Sequence, residues 1–230
     1  MLDLLPQIQD WFAAGEQVAV ATVIRVAGSA PRPVGARMII SSAGRMAGSV
    51  SGGCVETTVY EEMMDVLEGG PPRKLHFGIT DDMIWDVGLA CGGTIDVFVQ
   101  KLDPELVESL IDHVEQGTPV MLAMAVSGEP VAGDSGPADS GLVTRDGLVQ
   151  GHADDRLVEV AQEMLSSRVE TGAVHEITPG VEVYVEPFLP PPVLVIIGGC
   201  LLYTSDAADE VVPVLFSVVA VWLCGGGGGG

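Results

Sequence analysis

The stretch VAVATVIRVAGSAPRPVGARMII, residues 18–40, decides the fold of this 230-residue chain. Its first part, residues 18–26, is rich in β-branched side chains and almost continuously apolar, which predicts a strand covered on both faces. A loop of glycines and prolines follows and leads into a second apolar segment at residues 36–41. Strands buried on both faces are typical of α/β proteins, so the stretch indicates that class.

Hydrophobic periodicity predicts helices and strands along the chain up to residue 188. Helices are predicted at residues 2–14, 55–68, 105–116 and 154–169. Further strands are predicted at residues 36–41, 46–50, 74–79, 94–99 and 119–126, in a hairpin over 142–151, and within 175–188. Strands that alternate with helices indicate an α/β domain with a mixed or parallel sheet.

Composition divides the chain into three segments. Residues 1–189 form the predicted α/β domain, and residues 190–199 combine a stiff proline linker with VLVIIGG, which is typical of the first strand of a dinucleotide-binding fold. Residues 200–230 contain CLLYTSDAADE, which matches a translated sequencing adapter, and end in six glycines, which lose much backbone entropy on ordering. We expect this last segment to be a non-native, disordered tail, with a genuine flexible terminus as the alternative.

Charge and cysteine usage narrow the function classes. The formal net charge is −22, from 10 Lys+Arg against 32 Asp+Glu, which leaves no basic face for nucleic acid or an anionic membrane. The N-terminus lacks the basic region of a signal peptide, and no apolar run reaches the roughly 18 residues of a spanning helix. Four cysteines without disulfide or zinc spacing indicate a reducing compartment. We therefore predict a cytoplasmic protein without a metal site.

The loop at residues 28–37 holds a candidate anion site. Ser29, Arg32 and Arg37 lie in or beside a backbone shaped by glycine and proline. A guanidinium group can bind phosphate through two parallel hydrogen bonds. The alternative is that both arginines pair with surface carboxylates.

Two candidate thiols lie beside paired glycines. Cys54 follows SGG and is predicted to begin a helix, whose unpaired N–H groups favour the thiolate. Cys91 precedes a second glycine pair, so both loops are predicted to meet at one pocket. Five neighbours let a ligand approach the backbone: Ser51, Gly52, Gly53, Gly92 and Gly93. Either thiol can equally be a packing residue, because free cysteine is among the most buried residue types.

The segment TDDMIWDVGLACGG, residues 80–93, is predicted to be a functional loop because it has too many glycines and aspartates for one regular element. Asp81 and Asp82 within it are candidate polar ligands, or a helix-cap signal after Thr80. The predicted pocket is therefore built from the loops at 28–37, 49–54 and 80–93.

Four blocks in series carry a family resemblance: GSAPRPVGARM at 28–38, GSVSGGCVE at 48–56, FGITDDMIWDVGLACGGTIDVFV at 77–99 and the late VLVIIGG. In this order they resemble the XdhC/CoxI family. The resemblance implies a mixed-sheet α/β domain followed by a Rossmann-like domain, of which this chain carries only the first strand before the match breaks off at Gly199.

The resemblance also implies a function. Family members bind molybdenum cofactor (molybdopterin), assist its sulfuration and deliver it to an apo molybdenum hydroxylase such as xanthine or CO dehydrogenase. A cysteine desulfurase is the implied second partner. Whether the chain forms a homodimer is left open. In this interpretation Cys54 and Cys91 are sulfur or cofactor thiols, and the polar and glycine residues named above are cofactor ligands.

Three alternatives to a non-enzymatic maturation factor stay open. The chain can be a sulfurtransferase that uses Cys54, an NAD(P)-dependent oxidoreductase, or a docking module that binds no cofactor. Hydride transfer is disfavoured because the glycine loop that would hold the dinucleotide is absent after residue 199.

Overall fold

The computed structural model describes residues 1–78, 92–126, 140–153, 155–167, 169 and 171–190. The linker prolines after Pro190, the predicted dinucleotide-type strand and the predicted tail lie outside these residues. Met1–Pro190 forms one compact unit.

Four helices lie within the described residues. They are α1 (Leu5–Ala13), which continues a 3-10 turn over Leu2–Leu4, α2 (Glu56–Leu67), α3 (Pro104–Glu115) and α4 (Asp155–Ser166). Pro104 stands in the first turn of α3, where its missing N–H costs nothing, and the Asp103 side chain accepts a hydrogen bond from the backbone N of Glu105 at 3.0 Å. None of the described helices is long and apolar enough to cross a bilayer.

The strands fall close to their predicted positions. They are β1 (Val18–Ala27), β2 (Arg37–Ser41), β3 (Met46–Gly48), β4 (Arg73–Phe77), β5 (Thr94–Lys101), β6 (Val120–Ala125), β7 (Ser140–Thr144), β8 (Gly147–Gly151), β9 (Ala173–Thr178) and β10 (Val181–Phe188). They form two five-stranded sheets: sheet A, in the order β3-β2-β1-β5-β4, and sheet B, in the order β8-β7-β6-β10-β9.

The α/β class predicted from the sequence is confirmed, but the strands pair differently from the expectation of a mixed or parallel sheet. Every pairing among the described strands is antiparallel. The reason lies in where the helices fall. Helix α2 joins β3 to β4, which are the two opposite edges of sheet A, so it does not create a parallel neighbour.

The two sheets pack face to face, and each carries a helix on its outer face. Alternate residues of β1 show this arrangement, because Val18, Val20 and Ile24 join the core between the sheets. Ala19, Ala21 and Val23 point the other way, into the core beneath α2. Helix α4 covers the outer face of sheet B in the same manner. The near-continuous apolar character of residues 18–24 thus reflects burial on both faces, as predicted, whereas Arg25 is exposed and Val26 is half-buried.

The second half of the unit repeats the first, element for element. In each half a helix precedes three strands linked as a meander, and a second helix leads to two further strands. The strand order within the two sheets is the same. Two glycines confirm the correspondence: Gly48 ends β3 with φ 79° and Gly151 ends β8 with φ 92°. A Cβ on either would lie 2.2 Å from a carbonyl oxygen at the start of the adjacent strand, that of Arg37 or Ser140.

The duplication also explains how the halves are joined. By register, Arg37 lies opposite Thr22 and Ser140 lies opposite Met124, which are equivalent positions of β1 and β6. Arg37 pairs with the Glu186 carboxylate across the sheet interface, and the equivalent Ser140 donates to Gln100 Oε1 at 3.2 Å. One structural position therefore holds an ion pair in one half and a neutral hydrogen bond in the other.

Candidate functional site

Two loops and the residues that enter β5 come together at one end of sheet A. A Cβ on Gly28 would lie 3.4 Å from the Cα of Gly93, and one on Gly52 would lie 3.9 Å from the Cβ of Pro31. A Cβ on Gly93 would lie 2.1 Å from the carbonyl oxygen of Ser29, so a side chain there would force the loops apart. The structure thus brings together the β1–β2 loop, the loop before α2 and the residues that enter β5. We call these residues, 28–35, 49–55 and 92–93, the loop cluster.

The β1–β2 loop presents polar side chains to solvent. Ser29 and Arg32 are both exposed. Arg32 forms no ion pair with any residue that the structure describes, whereas Arg25, Arg45 and Arg73 each bind a carboxylate. An exposed guanidinium at the loop cluster has the chemistry required for binding a phosphate group.

Arg37 departs from the predicted role of phosphate ligand. Its side chain is only 2% exposed and faces the interior between the two sheets. Its Nη1 donates to Glu186 Oε1 at 3.0 Å and to the carbonyl oxygen of Gly35 at 3.1 Å, and its Nη2 binds Glu186 Oε2. Burial opposes the charged form, yet the Glu186 carboxylate outweighs it and raises the pKa of Arg37. The guanidinium is therefore occupied, as in the alternative of pairing with a carboxylate, although the pair is buried and not on the surface.

The loop before α2 closes around the carboxylate of Glu56. Glu56 Oε1 accepts hydrogen bonds from Ser49 Oγ at 2.7 Å, from the backbone N of Val50 at 3.3 Å and from that of Ser51 at 2.8 Å. Glu56 Oε2 accepts from the backbone N of Gly53 at 2.8 Å and from the Ser51 hydroxyl. Partial burial opposes the ionised form, but these hydrogen bonds outweigh it and lower the pKa of Glu56 to about 2.

Glu56 was missed by the sequence reasoning. No local motif marked it, because Glu56 is the first residue of α2 and Val55 is the N-cap, which is not the spacing of a capping box. Ser51, predicted as a cofactor ligand, is buried, and its hydroxyl is occupied on both sides, since it also accepts from the backbone N of Val55 at 3.0 Å. Gly52 and Gly53 are exposed, with φ of 73° and 114°.

Cys54 lies in the loop and not at the helix start. Helix α2 begins at Glu56, one residue into the predicted range 55–68 and two residues after Cys54, because the positive φ angles of Gly52 and Gly53 and the Glu56 contacts keep the preceding backbone out of the helix. The thiol is free and half-buried, and it packs against the core between sheet A and α2. It is thus placed at the loop cluster while also contributing to packing.

Of the remaining residues predicted for the site, two are described by the structure and three are not. Gly92 has φ 75°, and Gly93 contacts the β1–β2 loop as described above. Cys91, Asp81 and Asp82 lie outside the described residues, so their predicted roles stay predictions.

The match to a known protein family falls on the part of the chain that contains the first two of these loops. Residues 11–78 match the model of the XdhC and CoxI family. The family resemblance that the motifs indicated is thereby confirmed over this segment, which contains the β1–β2 loop, the loop before α2 and α2 itself.

Two curated relatives have informative names. The molybdenum cofactor insertion chaperone PaoD of Escherichia coli (strain K12) is 33% identical over 111 residues, which cover 47% of this chain and 34% of that protein. A probable xanthine dehydrogenase subunit from Bacillus subtilis (strain 168) is 33% identical over 107 residues, which cover 46% of this chain and 31% of that protein. The matches thus span about a third of the length of each relative.

A solved structure shares the fold. A xanthine dehydrogenase from Bacillus halodurans superposes with a TM-score of 0.57 at 21% sequence identity, over 81% of this chain and 52% of that one. At this identity the similarity concerns the fold.

Proposed function

We propose that this chain is a molybdenum cofactor maturation factor that binds molybdopterin at the loop cluster, in the cytoplasm, and delivers it to an apo molybdenum hydroxylase. The observation that supports this most is that the two loops carrying the exposed Arg32 and the half-buried Cys54 approach each other, with Gly93 against the first of them. The chaperone name of the PaoD relative supports the choice of cofactor.

The chemistry of the loop cluster suits such a ligand. Molybdopterin carries a terminal phosphate, for which Arg32 and the Ser29 hydroxyl are the proposed donors. Its flat pterin needs close backbone approach, which exposed glycines such as Gly52 and Gly53 allow. A soft thiol, Cys54, is the proposed contact for the molybdenum and sulfur end of the cofactor.

The proposal includes assistance with cofactor sulfuration. In this role Cys54 contacts the cofactor while a cysteine desulfurase supplies the sulfur. Cys54→Ser should then lower the activity of client enzyme matured with this chain, while cofactor retention changes less. Equal client activity with the wild type and Cys54→Ser would remove the thiol from this step.

The test of cofactor binding is co-purification. The full chain is expressed in a host that makes molybdopterin, and bound cofactor is measured as its fluorescent oxidation product per mole of protein. The same chain from a host unable to make molybdopterin gives the blank. Retained molybdopterin is expected, whereas signal at the blank level would contradict the proposal and favour a docking module that binds no cofactor.

Arg32→Ala sharpens this test. Loss of a charge-assisted hydrogen bond costs about 1.5 to 3 kcal/mol, or about ten- to a hundredfold in affinity. Arg145→Ala is the matched control, because Arg145 is also an exposed arginine but lies in the β7–β8 turn of the other sheet. Unchanged affinity in Arg32→Ala would remove the phosphate assignment.

A further inference from the structure

The carboxylate of Glu56 accepts more hydrogen bonds than are needed to cap a helix. The glutamate of a capping box accepts from one backbone N–H, and Glu56 already accepts from one, that of Gly53. Glu56 accepts four further hydrogen bonds, all from residues 49–51, which precede the glycine pair. Its contacts therefore fix a whole loop and not merely the first turn of α2.

The loop has a conformation that needs such support. Gly52 and Gly53 both have positive φ and are exposed, so tertiary packing does little to hold them. Ser49 adds a second layer, because its hydroxyl donates to Glu56 and accepts from the backbone N of Gly52 at 2.9 Å. Without the carboxylate, the backbone N–H groups of Val50, Ser51 and Gly53 would lose their acceptor.

The same contacts decide where an anionic ligand can bind. Three backbone N–H groups and two hydroxyls that converge on one point would form an anion site, but an internal carboxylate already fills it. A phosphate group is thereby directed away from these donors and towards the β1–β2 loop with Arg32. The loop before α2 is left to present its glycines and Cys54.

We propose that Glu56 is a positioning residue, which fixes the loop of residues 49–55 so that Cys54 and the two glycines are held ready for the cofactor. The inference rests on the proposed function for the identity of the ligand. It assigns no contact between Glu56 and the ligand, because both carboxylate oxygens are taken up by the loop.

The experiment compares Glu56→Gln with Glu61→Gln in the full chain. Glu61 is an exposed residue of α2 for which the structure gives no hydrogen bond with a described residue, so it controls for the loss of charge on the same helix. The first measurement is the rate at which iodoacetamide alkylates Cys54 in the native protein, followed by mass mapping of its peptide. The second is the molybdopterin retained per mole of folded protein, and the third is Tm.

In Glu56→Gln, iodoacetamide is expected to alkylate Cys54 about tenfold faster or more than in the wild type, because the loss of charge-assisted hydrogen bonds opens the loop. Molybdopterin retention should fall in parallel, while Glu61→Gln behaves as the wild type. Ser49→Ala, which removes one donor and leaves the carboxylate, should show a smaller change in the same direction and provides the test if Glu56→Gln fails to fold.

Chemical rescue separates positioning from general destabilisation. In Glu56→Ala, sodium formate should slow the alkylation of Cys54 again by restoring a carboxylate to the loop, and sodium chloride at equal ionic strength should not. Equal alkylation and equal retention in Glu56→Gln and the wild type would overturn the role of Glu56 alone. A wild-type chain that retains no molybdopterin would overturn the proposed function, and with it the reception of cofactor by this loop.

Discussion

Replacing Glu186 with alanine leaves the Arg37 guanidinium buried without its carboxylate. Arg37 is 2% exposed and Glu186 is 14% exposed, and two of their hydrogen bonds join the two sheets. Removing one partner of a buried pair costs about 3 to 5 kcal/mol, because the remaining charge is uncompensated. We therefore expect Glu186→Ala to lower the free energy of unfolding by about that amount.

The assay is urea unfolding followed by circular dichroism, with thermal unfolding as a second measure. At about 2 to 4 °C per kcal/mol for a domain of this size, Tm should fall by about 6 to 20 °C. The matched control is Glu16→Ala, which removes the partner of Arg45 from a pair whose glutamate is 18% exposed but whose arginine is 44% exposed, against 2% for Arg37. An exposed pair contributes about 1 kcal/mol or less, so the control should barely change Tm.

Replacing both members, as in Arg37→Met with Glu186→Leu, should recover most of the loss, because no buried charge remains. The reasoning would be refuted by a Glu186→Ala variant as stable as Glu16→Ala. That result would mean that Arg37 does not depend on Glu186 and would return it to the candidate phosphate ligands.

Three further predictions follow from the backbone and from Glu56. Gly48→Ala and Gly151→Ala should each destabilise the protein by about 3 kcal/mol or more, against about 1 kcal/mol for Gly180→Ala, since a Cβ meets a carbonyl oxygen only at the first two; comparable Tm values for all three would contradict the duplication contacts. Because the pKa of Glu56 is lowered to about 2, its contribution to stability is full above pH 4.5 and is lost as the pH falls towards 2; Glu56→Gln should flatten acid unfolding in that window, and an unchanged profile would contradict it. Gly93→Ala should separate the loops and reduce molybdopterin retention, measured by oxidation fluorescence, and full retention would show that the loop contact is dispensable.

The sequence predicted the elements well because their signals are local. The apolar run of β1 and the periodicity of α2 each depend on neighbouring residues. Whether the strands pair parallel or antiparallel could not be predicted from neighbouring residues, because it depends on α2 connecting opposite edges of a sheet. The duplication was also invisible, because equivalent positions such as Arg37 and Ser140 keep their place in the register but not their side chain.

The candidate site was predicted in outline. Glycine motifs predicted one pocket from the loops at 28–37, 49–54 and 80–93, and the structure places Gly93 beside Ser29 and Gly52 beside Pro31, while residues 79–91 lie outside the described residues. The sequence left undecided whether Arg37 binds a ligand or pairs with a carboxylate. Its partner Glu186 lies 149 residues away along the chain, and no short-range pattern identifies it. Cys54 was placed on the helix because sequence periodicity does not reveal that Glu56 turns back to bind the preceding loop.

Hydrogen–deuterium exchange with and without bound molybdopterin tests the central claim most directly. The protein purified with its cofactor is compared with the same chain from a host that makes none. Slower exchange is expected in peptides that cover residues 28–35 and 49–55, with no change in α4 on the far side of sheet B. Bound cofactor that protects α4 or β9 instead, and leaves both loops unchanged, would contradict the assignment of the loop cluster as the cofactor site.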